Sequence, residues 1–337
     1  MTEKIIMVGL GGTGGIVAKL AIKRGMEVVG AFDINEKIVG KDVGEVIGSD
    51  RKVGIFVSNQ LSKISEMSAD VAIYITVSRL KDLYPQILPA IRAGINIIST
   101  ADELSFPWIH PEAKNIDEAA KKFNVTVFGT GSNPGFLTDV LPALLTSGCQ
   151  EVAEIKVKRV ADFSPYGGGV LKQFGIGLSR EDWKEACEKG NVMGHLASRG
   201  IVNYIADCMD LKLDEVRERI ESVIAKVPRV GLYCKVDKGN VAGTLNIAHG
   251  VKDGRELIIF EMHGSIQPET EKLKVGTFWS IKGKPSFEGS IKSKEIAAES
   301  VLVTSARVVN SIPIVTKSKP GLLTQKDLPL GACIMRK

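Results

Sequence analysis

A glycine-rich turn joins the first apolar segment of this 337-residue chain to a helical pattern. Glycines stand at positions 9, 11 and 14, and Asp33 closes the next apolar segment 19 positions after the third of them. In such a turn the first glycine allows a tight bend, the second lets backbone approach a pyrophosphate, and the third lets the helix pack on the strand. N–H groups at the start of the helix would then face the phosphates. The spacing predicts a dinucleotide site, with an ordinary glycine turn as the alternative.

The choice between the two nicotinamide dinucleotides depends on Asp33. A carboxylate at that position accepts a hydrogen bond from the adenosine 2′-hydroxyl and repels a 2′-phosphate. No arginine follows it directly, although Lys37 stands near enough in sequence to tolerate a phosphate. We therefore predict NAD as the cofactor, with NADP as the alternative.

Polar residues also stand at the ends of two later apolar segments, which a parallel sheet would place near the turn. Thr76 and Ser78 end one segment and could reach the cofactor, although Ser78 also suits a helix N-cap. Asp102 and Glu103 follow the next segment, where a carboxylate could act as a general base or orient a water, or simply form a solvated turn or cap. The predicted cofactor contacts are Gly9, Leu10, Gly11, Gly12, Thr13, Gly14, Asp33, Thr76, Ser78, Thr100 and Asn133.

The elements that must position these residues alternate between strand and helix over the first third of the chain. Strands are predicted at 4–8, 27–32, 52–57, 70–76, 95–99 and 125–128, with helices at 14–24, 80–93 and 111–123. Short apolar strands separated by helices are typical of a parallel sheet covered on both faces. The predicted fold class is therefore α/β, with a Rossmann-type, doubly wound N-terminal sheet.

The pattern changes after residue 150. A long alternating strand is predicted at 154–160, a glycine-rich loop at 163–178, and helices at 181–189, 196–209, 213–226 and 293–310. Hairpin signals occur at Asp237-Lys-Gly239 and Lys252-Asp-Gly254. We predict a second α+β domain with a mixed or antiparallel sheet, and an irregular tail after Pro313.

The composition is that of an ordinary globular protein, with 25% charged residues, 44% hydrophobic residues and a net charge of +5. Charges of both signs alternate along the chain, which argues against a nucleic-acid partner. No apolar stretch approaches the ~18 residues of a membrane span, so we expect a cytoplasmic protein with no membrane partner. The five cysteines and four histidines are scattered, which argues against disulfides and against a metal site.

Several segments together resemble one enzyme family. The segment 125–136, with its Asn133-Pro134-Gly135, resembles the junction motif of the 2,4-diaminopentanoate dehydrogenases and related native amine dehydrogenases, which are relatives of dihydrodipicolinate reductase. The glycine turn, the segment 99–107 and the late helix 306–313 fit the same pattern. The resemblance implies NAD(P)-dependent oxidative deamination of 2,4-diaminopentanoate to 2-amino-4-oxopentanoate and ammonia, or the reverse reductive amination of a ketone.

The resemblance also implies a division into domains and a catalytic residue. The late helix packs back on the nucleotide domain, which then comprises residues 1–135 and 293–337, and residues 136–292 form a substrate and dimerisation domain. The family's catalytic glutamate corresponds to Glu103, with a lesser role for Asp102. The paired histidines of dihydrodipicolinate reductase are missing from this sequence, which excludes that activity.

The substrate of such an enzyme carries a carboxylate and a second ammonium. Arg159 suits the carboxylate, because its planar guanidinium matches it, with a surface or sheet-edge arginine as the alternative. Asp162 could hold the ammonium, and Asn133 could contact substrate as well as cofactor. Tyr166 and His263 could line the pocket, although His263 could equally be an ordinary sheet histidine.

The glycine-rich loop, the substrate class and the catalytic role itself each allow more than one interpretation. The glycines at 167–169 form either a mobile lid or a plain surface loop. The enzyme could act on simple ketones and amines or on a semialdehyde, or the chain could be a non-catalytic dinucleotide sensor that does not need Glu103. For the assembly we expect a homodimer, because a sheet in the second domain has edges to cover.

Overall fold

The computed structural model of the chain describes residues 2–293, 299–329 and 331–334. The chain divides into two compact units, of which the first comprises Met1–Phe136 and Ser300–Lys337 and the second comprises Leu137–Glu299. The late helix, predicted over 293–310, is observed from Glu299 to Val315. Residues 294–298 of that prediction lie outside the described residues.

The first unit contains a six-stranded parallel sheet, which confirms the predicted Rossmann-type arrangement. Its strands are β1 (Lys4–Val8), β2 (Glu27–Phe32), β3 (Val71–Tyr74), β4 (Asn96–Ser99), β5 (Thr126–Gly129) and β14 (Gly321–Leu323). They stand in the order β14-β5-β4-β3-β1-β2, and every neighbouring pair is parallel. Because β2 and β3 lie on either side of β1, the ligand-binding crevice of such a sheet is expected at the carboxyl ends of β1 and β3.

Alternate residues of these buried strands face two layers of helices. The helices of this unit are α1 (Gly12–Lys23), α2 (Val43–Val46), α3 (Leu80–Arg92), α4 (Glu112–Lys122) and, from its second residue onward, α9 (Glu299–Val315). Ile6 and Ala72 belong to a core cluster with α3 and α4, whereas Met7 and Ile73 belong to a second cluster with α1 and α9. The period-two alternation of side chains therefore builds one core on each face of the sheet.

Two predictions for this unit are wrong. The segment 52–57 forms a single bridge at Phe56 instead of a strand, because the buried carboxylate of Asp42 accepts two of its backbone N–H groups at 2.7 and 2.9 Å. The tail is not irregular throughout, because Gly321–Leu323 pairs in parallel with β5 and buries both leucines. A strand of three residues is too short for its periodicity to be recognised in the sequence.

The second unit is built on a mixed six-stranded sheet, as predicted. Two further strands of the unit form a separate pair. The strands of the unit are β6 (Glu151–Asp162), β7 (Glu215–Ile224), β8 (Arg229–Val230), β9 (Lys235–Val236), β10 (Val241–Lys252), β11 (Arg255–Ser265), β12 (Gly276–Lys284) and β13 (Phe287–Ile291). The sheet order is β13-β12-β6-β11-β10-β7, with β6 and β11 parallel and the other pairs antiparallel, while β8 and β9 pair separately. The helices are α5 (Val140–Thr146), α6 (Gly168–Gln173), α7 (Arg180–Glu188) and α8 (Ser198–Cys208).

The segment 213–226, predicted to be a helix, is instead the edge strand β7. Its residues Val216, Ile220 and Ile224 are four positions apart, a spacing that fits both a helix of period 3.6 and a strand of period two. Antiparallel pairing with β10 along its whole length decides in favour of the strand. Tertiary pairing therefore resolves a pattern that the sequence leaves ambiguous.

One of the two predicted hairpins of this unit is present, and the predicted glycine-rich loop contains a helix. The Lys252-Asp-Gly254 turn closes the β10–β11 hairpin, with positive φ at its last two residues. The Asp237-Lys-Gly239 turn joins β9 to β10, but these strands belong to different sheets, so no hairpin forms. The glycine-rich segment 163–178 contains α6, whose first residues are Gly168 and Gly169.

Candidate functional site

The turn between β1 and α1 has the geometry that a dinucleotide requires. Gly9 has a φ of +89°, and its N–H donates to Phe32 O at 2.8 Å. A Cβ at Gly14 would lie 2.0 Å from the carbonyl oxygen of Gly9, whereas one at Gly11 would meet nothing within 4 Å. No side chain caps α1 at Gly11. The turn thus presents an open backbone surface and an uncapped helix N-terminus, which fit a pyrophosphate.

Asp33, at the end of β2, is held against this turn. Its Oδ2 accepts a hydrogen bond from Leu10 N at 2.6 Å, and its Oδ1 accepts one from Asn35 N at 2.8 Å. The two backbone donors orient the carboxylate and leave lone pairs that a ribose hydroxyl could use. The residues of the turn and Asp33 therefore fit a nicotinamide dinucleotide.

Glu103 lies in the 3-10 helix Asp102–Ser105, directly after β4 at the same edge of the sheet. Its Oε2 accepts a hydrogen bond from Leu80 N at 2.7 Å, and the same atom lies 3.7 Å from His110 Nδ1. Leu80 is the first residue of α3, so Glu103, rather than the expected Ser78, caps this helix. The N-terminus of α3 attracts the negative charge and fixes the side chain.

Asp102 is the neighbour of Glu103 and differs from it in environment. Its carboxyl group forms a hydrogen bond with the side chain of Ser78, whose carbonyl oxygen accepts from Glu103 N at 3.1 Å. Burial raises the pKa of Asp102 to about 7, against the Ser78 hydrogen bond and with help from the charge of Glu103. A carboxyl group whose pKa is raised toward neutrality is typical of acid–base sites. The raised pKa distinguishes Asp102 as a titratable group beside Glu103, while its predicted lesser role stays a prediction.

We expect the Tm of an Asp102→Asn variant, relative to the Tm of the wild type, to be higher at pH 8 than at pH 5. A carboxyl group whose pKa rises from 3.8 to about 7 on folding holds its proton more tightly in the folded state. That contribution is complete below about pH 4 and is lost as the pH rises through about 7. Asparagine does not titrate, so the difference in Tm between the two proteins should widen with pH in calorimetry. A constant difference would contradict the raised pKa, and Asp82→Asn on the exposed side of α3 is the control.

The other predicted cofactor contacts of the first unit lie at or just beyond the carboxyl ends of its strands. Thr76, after β3, donates a side-chain hydrogen bond to Gln86 Oε1 at 2.8 Å. Thr100, after β4, donates its N–H to Tyr74 O at 3.2 Å. Asn133 lies four positions beyond β5. Because carboxyl ends of parallel strands share one edge, the sheet gathers the polar residues that the sequence leaves scattered.

In the second unit, the predicted substrate residues fall on opposite faces of the sheet. Arg159 and Asp162 are three positions apart on β6, where side chains alternate between faces. His263 pairs with Val160 on the neighbouring strand, so it lies on the face of Asp162. The structure therefore places Asp162 and His263 on one face and Arg159 on the other.

Arg159 is buried in an ion pair that no sequence pattern indicates. Its Nη2 lies 2.9 Å from Glu299 Oε2, and its Nη1 donates to Thr277 Oγ1 at 3.0 Å. The two charged side chains are only 3% and 4% exposed. A surface arginine is thus excluded, and Glu299 becomes a further candidate that sequence reasoning missed.

His263 belongs to a charge network on the other face. Its Nε2 lies 3.2 Å from Glu271 Oε2, and Arg229 pairs with the second oxygen of the same carboxylate. Burial alone would raise the pKa of Glu271, but the hydrogen bonds from His263 and Arg229 hold it below its ordinary value. The arrangement fixes the His263 ring against a carboxylate.

The loop after β6, which carries Tyr166, is tied to its surroundings through Ser164. Asp162 Oδ1 accepts from Ser164 N at 2.8 Å, and Ser164 O accepts from Leu232 N at 2.7 Å. The ring of Tyr166 packs edge-on against Phe163, with 5.5 Å between centroids. Asp162 thus orders the loop that presents Tyr166.

Over residues 2–293, 299–329 and 331–334, no three His, Cys, Asp or Glu side chains are grouped so that they could hold a metal ion. The cysteines in this part of the chain form no disulfide. A search of the same residues finds no helix with the length and apolar character needed to cross a membrane.

Comparison with known proteins finds similarity along the whole chain. Residues 136–337 match the 2,4-diaminopentanoate dehydrogenase C-terminal domain, and residues 3–129 match the N-terminus of dihydrodipicolinate reductase. A 2,4-diaminopentanoate dehydrogenase of Acetoanaerobium sticklandii is 33% identical over 98% of this chain and 95% of that protein. An amine dehydrogenase of Streptomyces virginiae is 23% identical over 96% of both chains. The solved structure of an amine dehydrogenase from Mycobacterium smegmatis has the same fold, with a TM-score of 0.89, 22% identity, and coverage of 98% of this chain and 97% of that one.

Proposed function

The chain belongs to the 2,4-diaminopentanoate dehydrogenase family of NAD(P)-dependent amine dehydrogenases, as its motifs predict, and on this premise we propose its reaction. The proposed reaction is the oxidative deamination of 2,4-diaminopentanoate to 2-amino-4-oxopentanoate and ammonia, with reductive amination as the reverse. The proposed cofactor is NAD. The observation that carries the proposal is the pair of carboxyl groups, Asp102 and Glu103, at the sheet edge that also bears the glycine turn.

The overall chemistry is a hydride transfer followed by hydrolysis. A bound nicotinamide supplies the hydride acceptor for the C4–H bond of the amine. The substrate nitrogen loses one proton and becomes an iminium, water adds to C4, and ammonia leaves. One amine cation, one oxidised cofactor and one water thus give one ketone, one ammonium, one reduced cofactor and one proton.

We propose that Glu103 transfers these protons. Its bond to Leu80 N uses Oε2, so Oε1 can take a proton from the ammonium and release it to solvent as the net proton of the reaction. Oε1 can then take a proton from the attacking water and give it to the departing nitrogen. The pKa of Asp102 lies near 7, so this neighbouring carboxyl group can change its charge close to neutral pH. In this proposal Glu103 transfers the protons, and Asp102 is a nearby carboxyl group that can hold one.

The chain's remaining contacts are proposed from their positions. The glycine turn would hold the diphosphate, and Asp33 would accept the ribose hydroxyl. Further proposed cofactor contacts are Thr76, Ser78, Thr100 and Asn133. Proposed substrate contacts are Asn133, Arg159 and Tyr166. Asp162 and His263, which were also predicted as substrate contacts, project from the sheet face opposite Arg159, so we do not propose that they bind the same molecule.

The proposal is tested by assaying 2,4-diaminopentanoate with NAD and NADP side by side. We expect kcat/KM to be at least roughly 10-fold higher with NAD, because Asp33 repels a 2′-phosphate at a cost of about 1.4 kcal/mol or more. An Asp33→Ser variant should shift the preference toward NADP, and Asp50→Ser in an exposed loop should not. Equal use of both cofactors by the wild type would contradict the assigned role of Asp33.

The same assay separates the rival functions. Turnover of 2-aminopentane without turnover of 2,4-diaminopentanoate would indicate an amine dehydrogenase for simple amines, the name that the Streptomyces virginiae relative carries. NADH binding without turnover of any amine, in either direction, would indicate a dinucleotide sensor and overturn the proposed function.

We also propose that the chain forms a homodimer through its second unit. In the described part of that unit, β7 and β13 are the edges of the sheet. The face opposite Arg159 exposes Lys156 and Lys158 beside the half-buried Glu261 and Phe278. A face with both charges and an aromatic ring can match a second copy of itself about a twofold axis. Sedimentation velocity at micromolar concentration tests this, and a monomer would contradict it.

A further inference from the structure

The buried pair of Arg159 and Glu299 contains one unsatisfied oxygen. The pair closes at 2.9 Å between Nη2 and Oε2. Glu299 Oε1 is also buried, and it has no hydrogen-bond partner among the described residues. An unpaired oxygen on a buried carboxylate costs free energy, because its bonds to water are lost without replacement. A hydrogen-bond donor placed at Oε1 would offset that cost.

The arginine of the pair also keeps donors for a ligand. A guanidinium has five N–H groups. Glu299 and the Thr277 hydroxyl each accept from one terminal nitrogen of Arg159. The remaining donors can bind a carboxylate, for which the planar fork is well suited.

Asp162, predicted from the sequence to hold the substrate ammonium, cannot work together with Arg159. The two side chains project from opposite faces of β6. Glu299, in contrast, contacts Arg159 directly. The structure thus offers one cation and one anion side by side on a single face.

We propose that Arg159 and Glu299 together recognise the α-amino-acid end of the substrate, the guanidinium binding the carboxylate and Glu299 Oε1 accepting the 2-ammonium. This inference rests on the proposed function and adds to it the residue that selects the substrate. A zwitterion brings no net charge to the pair, and each of its charges meets the opposite one. The orphaned oxygen gains the donor that it lacks.

Glu299 gives the site its selectivity in this arrangement. A lone arginine would accept any amine that carries a carboxylate. With Glu299 present, a substrate without the 2-ammonium leaves Oε1 unpaired and brings its negative charge next to a carboxylate. Sites built to bond a substrate group discriminate strongly against analogues that lack it.

The first test compares three amines on the wild-type enzyme, so that it depends on no variant. The compounds are 2,4-diaminopentanoate, 4-aminopentanoate, which lacks the 2-ammonium, and 2-aminopentane, which lacks the carboxylate as well. We expect kcat/KM for 4-aminopentanoate to be about 100-fold below that for 2,4-diaminopentanoate, mainly through KM. A ratio below about 3 would overturn the inference, although turnover of both compounds would leave the amine dehydrogenase function intact.

A variant then assigns the selectivity to Glu299. In Glu299→Gln the ratio between the two carboxylate substrates should fall from about 100 to below about 10, because the amide carries no charge to attract the ammonium. Glu299→Asp should restore part of the ratio. Glu185→Gln, an exposed change on α7, should leave it unchanged. An unchanged ratio in Glu299→Gln would assign the selectivity elsewhere and overturn the inference.

A binding measurement keeps the inference testable without turnover. Norvaline has the α-amino-acid group but no reacting amine, and pentanoate has only the carboxylate. At equal concentration, norvaline should raise the Tm of the wild type, whereas pentanoate should not. Equal shifts, or none with norvaline, would overturn the inference. If norvaline raises the Tm but the protein oxidises no amine, the recognition site would be supported and the proposed reaction would be overturned.

Discussion

Replacing Glu103 with glutamine is expected to lower kcat for amine oxidation by roughly 10²–10⁴-fold. Glutamine is nearly the same size, and its oxygen can still accept the hydrogen bond from Leu80 N at the start of α3. It cannot accept a proton from the ammonium or from water. The variant should therefore fold normally and bind NADH as the wild type does, and steady-state kinetics together with NADH titration measure both properties.

Two further variants separate catalysis from helix capping. Glu103→Ala should show the same loss of turnover, together with a loss of about 1 kcal/mol in unfolding free energy, because α3 then has no cap. Glu118→Gln, on the exposed side of α4, should change neither quantity. Full turnover by Glu103→Gln would exclude Glu103 as the base and leave it as the cap of α3, with Asp102 as the carboxyl group to test next.

Replacing Gly14 with alanine is expected to abolish coenzyme binding and to destabilise the protein. The new methyl group would lie 2.0 Å from the carbonyl oxygen of Gly9, so α1 must move away from β1. Overpacking of this kind costs about 1–3 kcal/mol, and it also displaces the helix N-terminus from the phosphates. NADH fluorescence titration and thermal unfolding measure the two effects.

Two neighbouring glycines supply matched controls. A methyl group at Gly11 meets no protein atom within 4 Å. Gly11→Ala should therefore keep its Tm but raise the Kd for NADH by roughly 10-fold or more, because the pyrophosphate must approach the backbone there. Gly15→Ala, whose Cβ lies 3.9 Å from Leu10 O, should be tolerated in both respects. Normal NADH affinity in Gly14→Ala and Gly11→Ala would place the dinucleotide elsewhere.

The first unit is the part of the protein that sequence reasoning predicts best. Its strands are buried on both faces, so they appear as short apolar runs, and Gly14 is required by a contact with Gly9 only five residues away. The errors have a shared cause. In both cases a contact with a residue distant in sequence decides the local structure. The backbone of the segment 52–57 donates to the Asp42 carboxylate, and β14 forms by pairing with the edge of β5.

The second unit shows where local patterns are insufficient. The spacing in β7 fits a helix and a strand equally well, and only β10 decides between them. Arg159 and Asp162 looked like partners in one pocket, but the alternation of side chains along β6 puts them on opposite faces. Family motifs identified the enzyme class without describing how this unit binds its ligand.

The sequence alone determined the parallel nucleotide-binding fold, the glycine turn and the position of Asp33, because each depends on residues that are close together in the chain or follow a short repeat. For Glu103 the position left a base and a helix cap equally open, and the family resemblance pointed to the base. Only the tertiary structure decided that Glu103 caps α3, that burial raises the pKa of Asp102, and that Arg159 pairs with Glu299. Those properties depend on which residues, distant in sequence, are buried next to one another. Burial and charge pairing between such residues produce no recurring pattern in the sequence.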